Sequence, residues 1–357
     1  MSDATKRRPG FRLALIACAM AVVVIGLGAF TRLADAGLGC PDWPGCYGHA
    51  LWPIHEEDVA RANEAFPHAP VEHDKTWPEM VHRYFASGLG LFAIALVAVA
   101  IRNRHRPQQP LKLPLFLLGF IILQGLFGMW TVTLKLWPQV VTAHLLGGFT
   151  TFALLWLLVQ RLGNLRWQLA DRDLLRVAEL RPWVVAGLLV VIGQIFLGGW
   201  TTSNYAAVAC PDFPTCQHQW WPETDFLHGF NFFQHVGPNY LGGTMENSGR
   251  VAIHLTHRLG AIVVALYLAW LIWRLWARAA LPQTRRMAVV MGVLLVAQLA
   301  LGIGNIVLQF PLWVAVAHNL GGALLLLALV TLTHRVYTAQ PATAQPASAG
   351  SALNPQR

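Results

Sequence analysis

Four histidines form two matched pairs, His82 with His144 and His257 with His318. Each lies in a short run that occurs twice. Val141-Thr142-Ala143-His144-Leu145-Leu146-Gly147-Gly148 returns as Ala315-Val316-Ala317-His318-Asn319-Leu320-Gly321-Gly322, and His82-Arg83 returns as His257-Arg258. Ionisable side chains inside apolar segments are costly and are usually functional. Two imidazoles at matched depth on facing helices can fill both axial positions of a heme iron. Heme is favoured over zinc, because each half offers two such ligands where a closed zinc site takes about four. Gly147-Gly148 and Gly321-Gly322 are expected to let a flat macrocycle approach the helix backbone. Arg83 and Arg258 each follow a ligand candidate directly. Each could pair with a heme propionate, or snorkel to the outer headgroups.

The halves differ beside these pairs. Glu79 lies three residues before His82, whereas His254 lies three before His257. A carboxylate one helical turn from a ligand can move protons or stabilise positive charge developing on a substrate. The plainer reading is an acid favouring a helix N-terminus, which the preceding Trp77-Pro78 also fits. Gln124 and Gln298 correspond too, and glutamine bonds between membrane helices.

The cysteines repeat in the same way. Cys40-Pro41-Asp42-Trp43-Pro44-Gly45-Cys46 returns as Cys210-Pro211-Asp212-Phe213-Pro214-Thr215-Cys216. Two disulfides within their loops are the expected state, with zinc binding across the loops or a redox-active pair as alternatives. Cys18 stands alone and reads as apolar packing.

The elements that position these residues are membrane helices. Of the 357 residues, 55% are hydrophobic and 12% charged, where soluble proteins carry about 25% charge. Eight apolar stretches approach the length of about 20 residues that spans a bilayer. They fall near 11–30, 81–101, 113–133, 142–160, 183–202, 255–276, 287–308 and 313–334. The expected fold is an all-α membrane protein, with eight transmembrane helices forming two parallel-repeat four-helix bundles. Residues 1–10 are a cytoplasmic N-terminus, 11–162 the first bundle, 163–182 a cytoplasmic connector, 183–336 the second bundle and 337–357 a disordered cytoplasmic tail. Part of the connector, 166–180, could lie as a short helix on the membrane surface.

The net charge of +9 does not point to nucleic acid. The basic residues collect in alternate loops, among them Arg102, Arg104, Arg106 and Lys112, then Arg161, Arg166, Arg172, Arg176 and Arg181. The positive-inside rule then puts both termini in the cytoplasm and the long 31–80 and 203–253 loops outside. The first helix has features of a cleaved signal, including Leu38-Gly39-Cys40. However, Gly28-Ala29-Phe30-Thr31 ahead of Cys40 is echoed by Gly198-Gly199-Trp200-Thr201 ahead of Cys210, deep in the chain, so a retained helix is expected.

The ordered set of Thr31-Arg32-Leu33, Gly37-Leu38-Gly39-Cys40-Pro41-Asp42-Trp43-Pro44, Glu79 with His82-Arg83, Ala143-His144, Thr256-His257-Arg258-Leu259-Gly260 and Ala317-His318 resembles the heme A synthase family across roughly 10–336. The resemblance implies an oxidoreductase of a bacterial-type inner membrane that converts the C8 methyl of heme O to a formyl group, giving heme A for respiratory terminal oxidases. It implies His82 and His144 as ligands of the substrate heme, Glu79 as the acidic residue important for turnover, and His257 and His318 as ligands of a permanent heme b that relays electrons. It implies disulfides at Cys40/Cys46 and Cys210/Cys216, the first linked to heme transfer or redox control. Expected partners are heme O, a heme O synthase, an electron donor and the lipid bilayer, and a homo-oligomer is compatible. The competing readings are a non-catalytic diheme b-type electron carrier and a transporter built from parallel repeats. No helix shows the Gly/Pro-broken midpoint that the transporter reading requires.

Overall fold

The computed structural model describes residues 7–234 and 236–342. Among these, eight helices have the length and apolarity to cross a membrane. They are Phe11–Leu33 (α1), His73–Arg102 (α3), Lys112–Thr133 (α4), Pro138–Leu162 (α5), Arg181–Ser203 (α7), Asn247–Trp273 (α9), Pro282–Val307 (α10) and Leu312–Thr338 (α11). Three shorter helices lie between them: Glu56–Ala65 (α2), Asp171–Ala178 (α6) and Phe226–Gly229 (α8). Prolines open α5, α7 and α10 in their first turns, where a missing N–H costs nothing. The bundle arrangement expected from the repeat is compatible with the packing, since α1, α3, α4 and α5 pack as neighbours, and α7, α9, α10 and α11 do likewise.

Two of the spans begin well before their apolar stretches. The expected starts were near 81 and 255, but α3 begins at His73 and α9 at Asn247. Their first turns are polar because they stand against the disulfide-bearing loops. His82 and His257 are therefore not at helix starts. Both lie more than two turns inside, deeper than the apolar runs suggest.

The apolar core occupies one half of the membrane thickness. In the first half of the chain it joins Ala14, Ala17, Cys18 and Ala21 of α1 to Leu89 and Leu96 of α3, Leu117 of α4, and Phe152, Leu155 and Leu158 of α5. In the second it joins Val184 and Val191 of α7 to Leu268 and Leu271 of α9, Met291 of α10, and Leu329 and Leu332 of α11. All of these belong to the helix ends on the side of the chain termini. The small residues of α1, spaced three and four apart, let its backbone approach its neighbours closely. The candidate ligands lie in the opposite half of the membrane.

The connector and the chain end meet on the terminal side. Gln168–Leu169 (β1) pairs in parallel with Gln340–Pro341 (β2). The expected tail thus has order as far as Ala342, whose N–H bonds to Leu169 O. The rest of that tail lies outside the described residues. Helix α6 falls within the 166–180 stretch where a short helix is expected.

The two halves are joined by polar contacts inside the membrane. Trp156 Nε1 donates to Thr331 Oγ1 at 2.7 Å, and Thr142 and Ser203 share a buried hydroxyl–hydroxyl bond of 2.9 Å. Arg32 donates to Thr202 O at 2.8 Å and lies over the Tyr205 ring. Side-chain bonds between membrane helices are worth about 0.6 kcal/mol on average. Replacing Trp156 with Phe and Thr331 with Val should therefore give a coupling of about that size in a double-mutant unfolding cycle. Fully additive effects would show that this bond does not join the halves.

Candidate functional site

The rings of His82 on α3 and His144 on α5 face each other with centroids 6.5 Å apart and planes at 89°. A metal held at about 2 Å by one nitrogen of each ring, with each ring centre about 1 Å behind its nitrogen, sets the centres about 6 Å apart. The pair therefore fits a single six-coordinate iron between two imidazoles. His257 and His318 hold the corresponding places on α9 and α11. Among the described residues, no three His, Cys, Asp or Glu side chains gather as a metal site. The histidines serve as pairs.

Each ring rests on a glycine of the adjacent helix. A Cβ at Gly28 would lie 2.9 Å from His82 Cε1, and one at Gly128 would lie 3.3 Å from His144 Cε1. Gly198 and Gly302 stand likewise at 3.2 Å from His257 and 3.1 Å from His318. The four glycines lie late in α1, α4, α7 and α10, so every ligand helix has a partner helix indented for its imidazole.

A glutamine one turn before the glycine then holds the ring. Gln124 Nε2 lies 3.0 Å from His144 Nδ1 and donates to the His144 carbonyl. Gln194 Nε2 lies 3.0 Å from His257 Nδ1 and donates to the His257 carbonyl at 2.9 Å. Gln298 donates to the His318 carbonyl at 3.0 Å and lies 3.5 Å from the ring's Nε2. A ring that binds metal through Nε2 carries its proton on Nδ1, and rotation of the amide presents the oxygen that would accept it.

Room for each glutamine comes from a second glycine, three residues after the histidine. A Cβ at Gly147 would lie 2.0 Å from Gln124 Oε1, and Cβ atoms at Gly260 and Gly321 would each lie 2.2 Å from Gln194 and Gln298 Oε1. The repeated Gly147 and Gly321 thus seat the glutamines, a role that sequence reasoning assigned to a macrocycle. Sequence reasoning singled out Gln124 and Gln298 but missed Gln194. The available signal was the spacing Gln124/Gly128, Gln194/Gly198 and Gln298/Gly302. It was obscured because the first-half counterpart of Gln194 is Val24.

Above the rings, each cysteine pair closes a small loop. Cys40–Cys46 and Cys210–Cys216 are disulfides with Cα atoms 4.8 and 4.6 Å apart. Asp42 accepts from the N–H groups of Tyr47 and Gly48, and Asp212 from those of Gln217 and His218. The arginine after each ligand reaches into its loop. Arg83 donates to the carbonyls of Asp42, Pro44 and Gly45, and Arg258 to those of Thr215, Cys210 and Asp212. Arg258 Nε keeps no protein partner.

Glu79 is included in α3 and is 4% exposed. Its Oε1 accepts from Arg83, and its Oε2 accepts from Cys40 N–H at 2.9 Å. The carboxylate thus joins the ligand helix, the arginine and the disulfide loop. The counterpart His254 instead places Nδ1 3.0 Å from Ala206 O. Gly39 keeps the loop against α3, because a Cβ there would lie 2.3 Å from the Lys75 carbonyl.

Two substitutions check the glutamine seat. Gly147→Ala should lower thermal stability in detergent by about 1–3 kcal/mol, as overpacking does. Adding Gln124→Ala should recover much of that loss. No recovery would mean that Gly147 is not there to seat Gln124.

The chain is similar to known proteins over nearly its whole length. A heme A synthase of Shewanella oneidensis is 44% identical over 313 residues, covering 88% of this chain and 92% of that one. A heme A synthase of Caulobacter vibrioides is 28% identical over 354 residues, covering 93% and 97%, and one of Nitrosomonas eutropha is 28% identical over 339 residues, covering 88% and 90%. The family model described as cytochrome oxidase assembly protein, COX15-CtaA, matches residues 11–330. With that match running through all eight spans and both histidine pairs, the chain belongs to the COX15-CtaA family.

Proposed function

We propose that this protein is a heme A synthase, oxidising the C8 methyl of heme O to the formyl group of heme A. The observation that carries the reading is the facing pair of His82 and His144, whose 6.5 Å ring separation suits one iron, in a family member similar to proteins of that activity.

In this reading His82 and His144 hold the substrate by its iron in the first half. His257 and His318 hold a permanent heme b in the second half, which supplies one-electron transfer when bound. Methyl to aldehyde is a four-electron oxidation, so a one-electron relay beside the substrate site would have to act repeatedly with an external electron partner. The two sites sit at corresponding depth in halves joined by direct contacts of α5 with α7 and α11.

Glu79 places a carboxylate one turn from His82. Its two oxygens are held by Arg83 and the Cys40 N–H, which orients it and ties it to the loop covering the site. A preoriented negative charge stabilises positive charge developing on the substrate. The corresponding His254 offers no such charge, which assigns the chemistry to the first half. Arg258 Nε is the donor left for a propionate in the second half, while Arg83 mainly anchors its loop. Both termini lie on the cytoplasmic side and both disulfide loops outside, following the basic loops.

The test is pigment extraction from purified wild type and Glu79→Ala, made in cells that supply heme O. Heme b with heme A is expected in the wild type, and heme b with accumulated heme O in the variant. His144→Ala should lose the substrate heme and keep heme b. Two equivalents of heme b in every sample, with neither heme O nor heme A, would overturn the reading in favour of a diheme electron carrier.

A further inference from the structure

The four histidine sites follow one plan, and one of them departs from it. His144, His257 and His318 each have a glutamine on the neighbouring helix and a glycine three residues later that seats it. At His82 both parts are changed together. The position of the glutamine is Val24, and the position of the seating glycine is Phe85. The indenting glycine remains, since Gly28 still faces the His82 ring. The ring keeps its place but has lost its hold. The Val24 main chain lies beside the ring, as the Gln124 and Gln298 main chains lie beside His144 and His318, but no side chain bonds it and Nδ1 is buried without a partner. His318 Nδ1 is also unpaired, but Gln298 is within 3.5 Å of that ring's other nitrogen and bonds the His318 carbonyl.

Groups that hold the far nitrogen of a metal-bound histidine fix its orientation and raise its basicity, and removing them typically costs about 10–100-fold in metal affinity or activity. Resting on the reading of His82 and His144 as ligands of the substrate heme, we propose that His82 is the releasable ligand of the four, and that Val24 and Phe85 make it so. His144, held by Gln124, keeps the substrate in place. His82 swings away, so that this site loads and unloads while the second-half pair stays closed. Release breaks one nitrogen–iron bond and transfers no electrons, so it needs no further reactant. Val24 and Phe85 are positioning residues, acting through the ring they leave unheld.

Carbon monoxide is the probe, because it binds reduced iron only where an axial histidine has left. Purified protein carrying both hemes is reduced, exposed to carbon monoxide, and followed by the distinct absorption bands of substrate heme and heme b. The wild type should bind carbon monoxide at the substrate heme and not at heme b. Val24→Gln with Phe85→Gly, which rebuilds the seat, should slow that binding at least tenfold. Gln194→Val, which removes the hold on His257, should make heme b reactive. Carbon monoxide binding at both hemes alike in the wild type, at neither, or at an unchanged rate in the rebuilt variant would overturn the proposal. Should the rebuilt variant not retain heme, Gln194→Val decides alone, and an unreactive heme b there would sink it. Failure of the underlying reading is distinguishable. In that case His144→Ala would leave the amounts of both hemes unchanged, whatever carbon monoxide does.

Discussion

A polar ring among apolar helices is costly unless its nitrogens find partners, because no water is present to satisfy them. Four imidazoles impose that demand on the half of the helices away from the chain termini. Much of the local sequence follows from it. A ring that packs against a neighbouring helix needs a residue without a side chain opposite, hence Gly28, Gly128, Gly198 and Gly302. A glutamine that reaches a ring must pass over the ligand helix, hence Gly147, Gly260 and Gly321. In a soluble helix these glycines would each cost about 1 kcal/mol. In a membrane the alternative is an unsatisfied buried polar group, which costs more.

The same demand explains the division of each bundle by depth. Leucine, valine and alanine fill the side of the chain termini, where no ligand has to be housed. The opposite side has smaller apolar clusters and is covered by the disulfide loops. Each disulfide loop is tied to its ligand helix by an arginine that donates to three loop carbonyls. In the first half Glu79 adds a bond to the Cys40 N–H. Ligand helix and covering loop are thereby one mechanical unit, and the arginine lies at the joint because it alone offers enough donors in a fixed fork.

The parts of this arrangement that could be read from sequence are those that the duplication repeats. Composition suffices for the eight spans, and the matched runs point by position to the histidines at corresponding places and to the two disulfides. The helix starts could not be read, because His73–Met80 is polar and resembles a loop. It is helical since loop 40–46 packs on it, with Gly39 against the Lys75 carbonyl. Arg83 and Arg258 were legible as charged groups beside ligands, but not as loop anchors, since their acceptors are main-chain carbonyls that any sequence would supply. Gln194 was hidden by the absence of a repeat partner, so a method that weighs repetition passes over the place where repetition fails.

That place is where the differences between the halves accumulate. Glu79 stands for His254, Val24 for Gln194 and Phe85 for Gly260. All three changes fall on α1 and α3, around one ring. The surroundings of His144 match those of His318 in both glutamine and glycine, so the fourth helix of each half has kept the common plan. Of the four histidines, His82 alone lacks both the glutamine and its seating glycine. If the two halves served the same purpose, changes would be expected to scatter over both bundles, limited only by packing. The grouping of these three changes around His82 fits a division of labour between the halves. In that reading α1 and α3 are modified around His82, while the other three histidines keep the glutamine and its glycine.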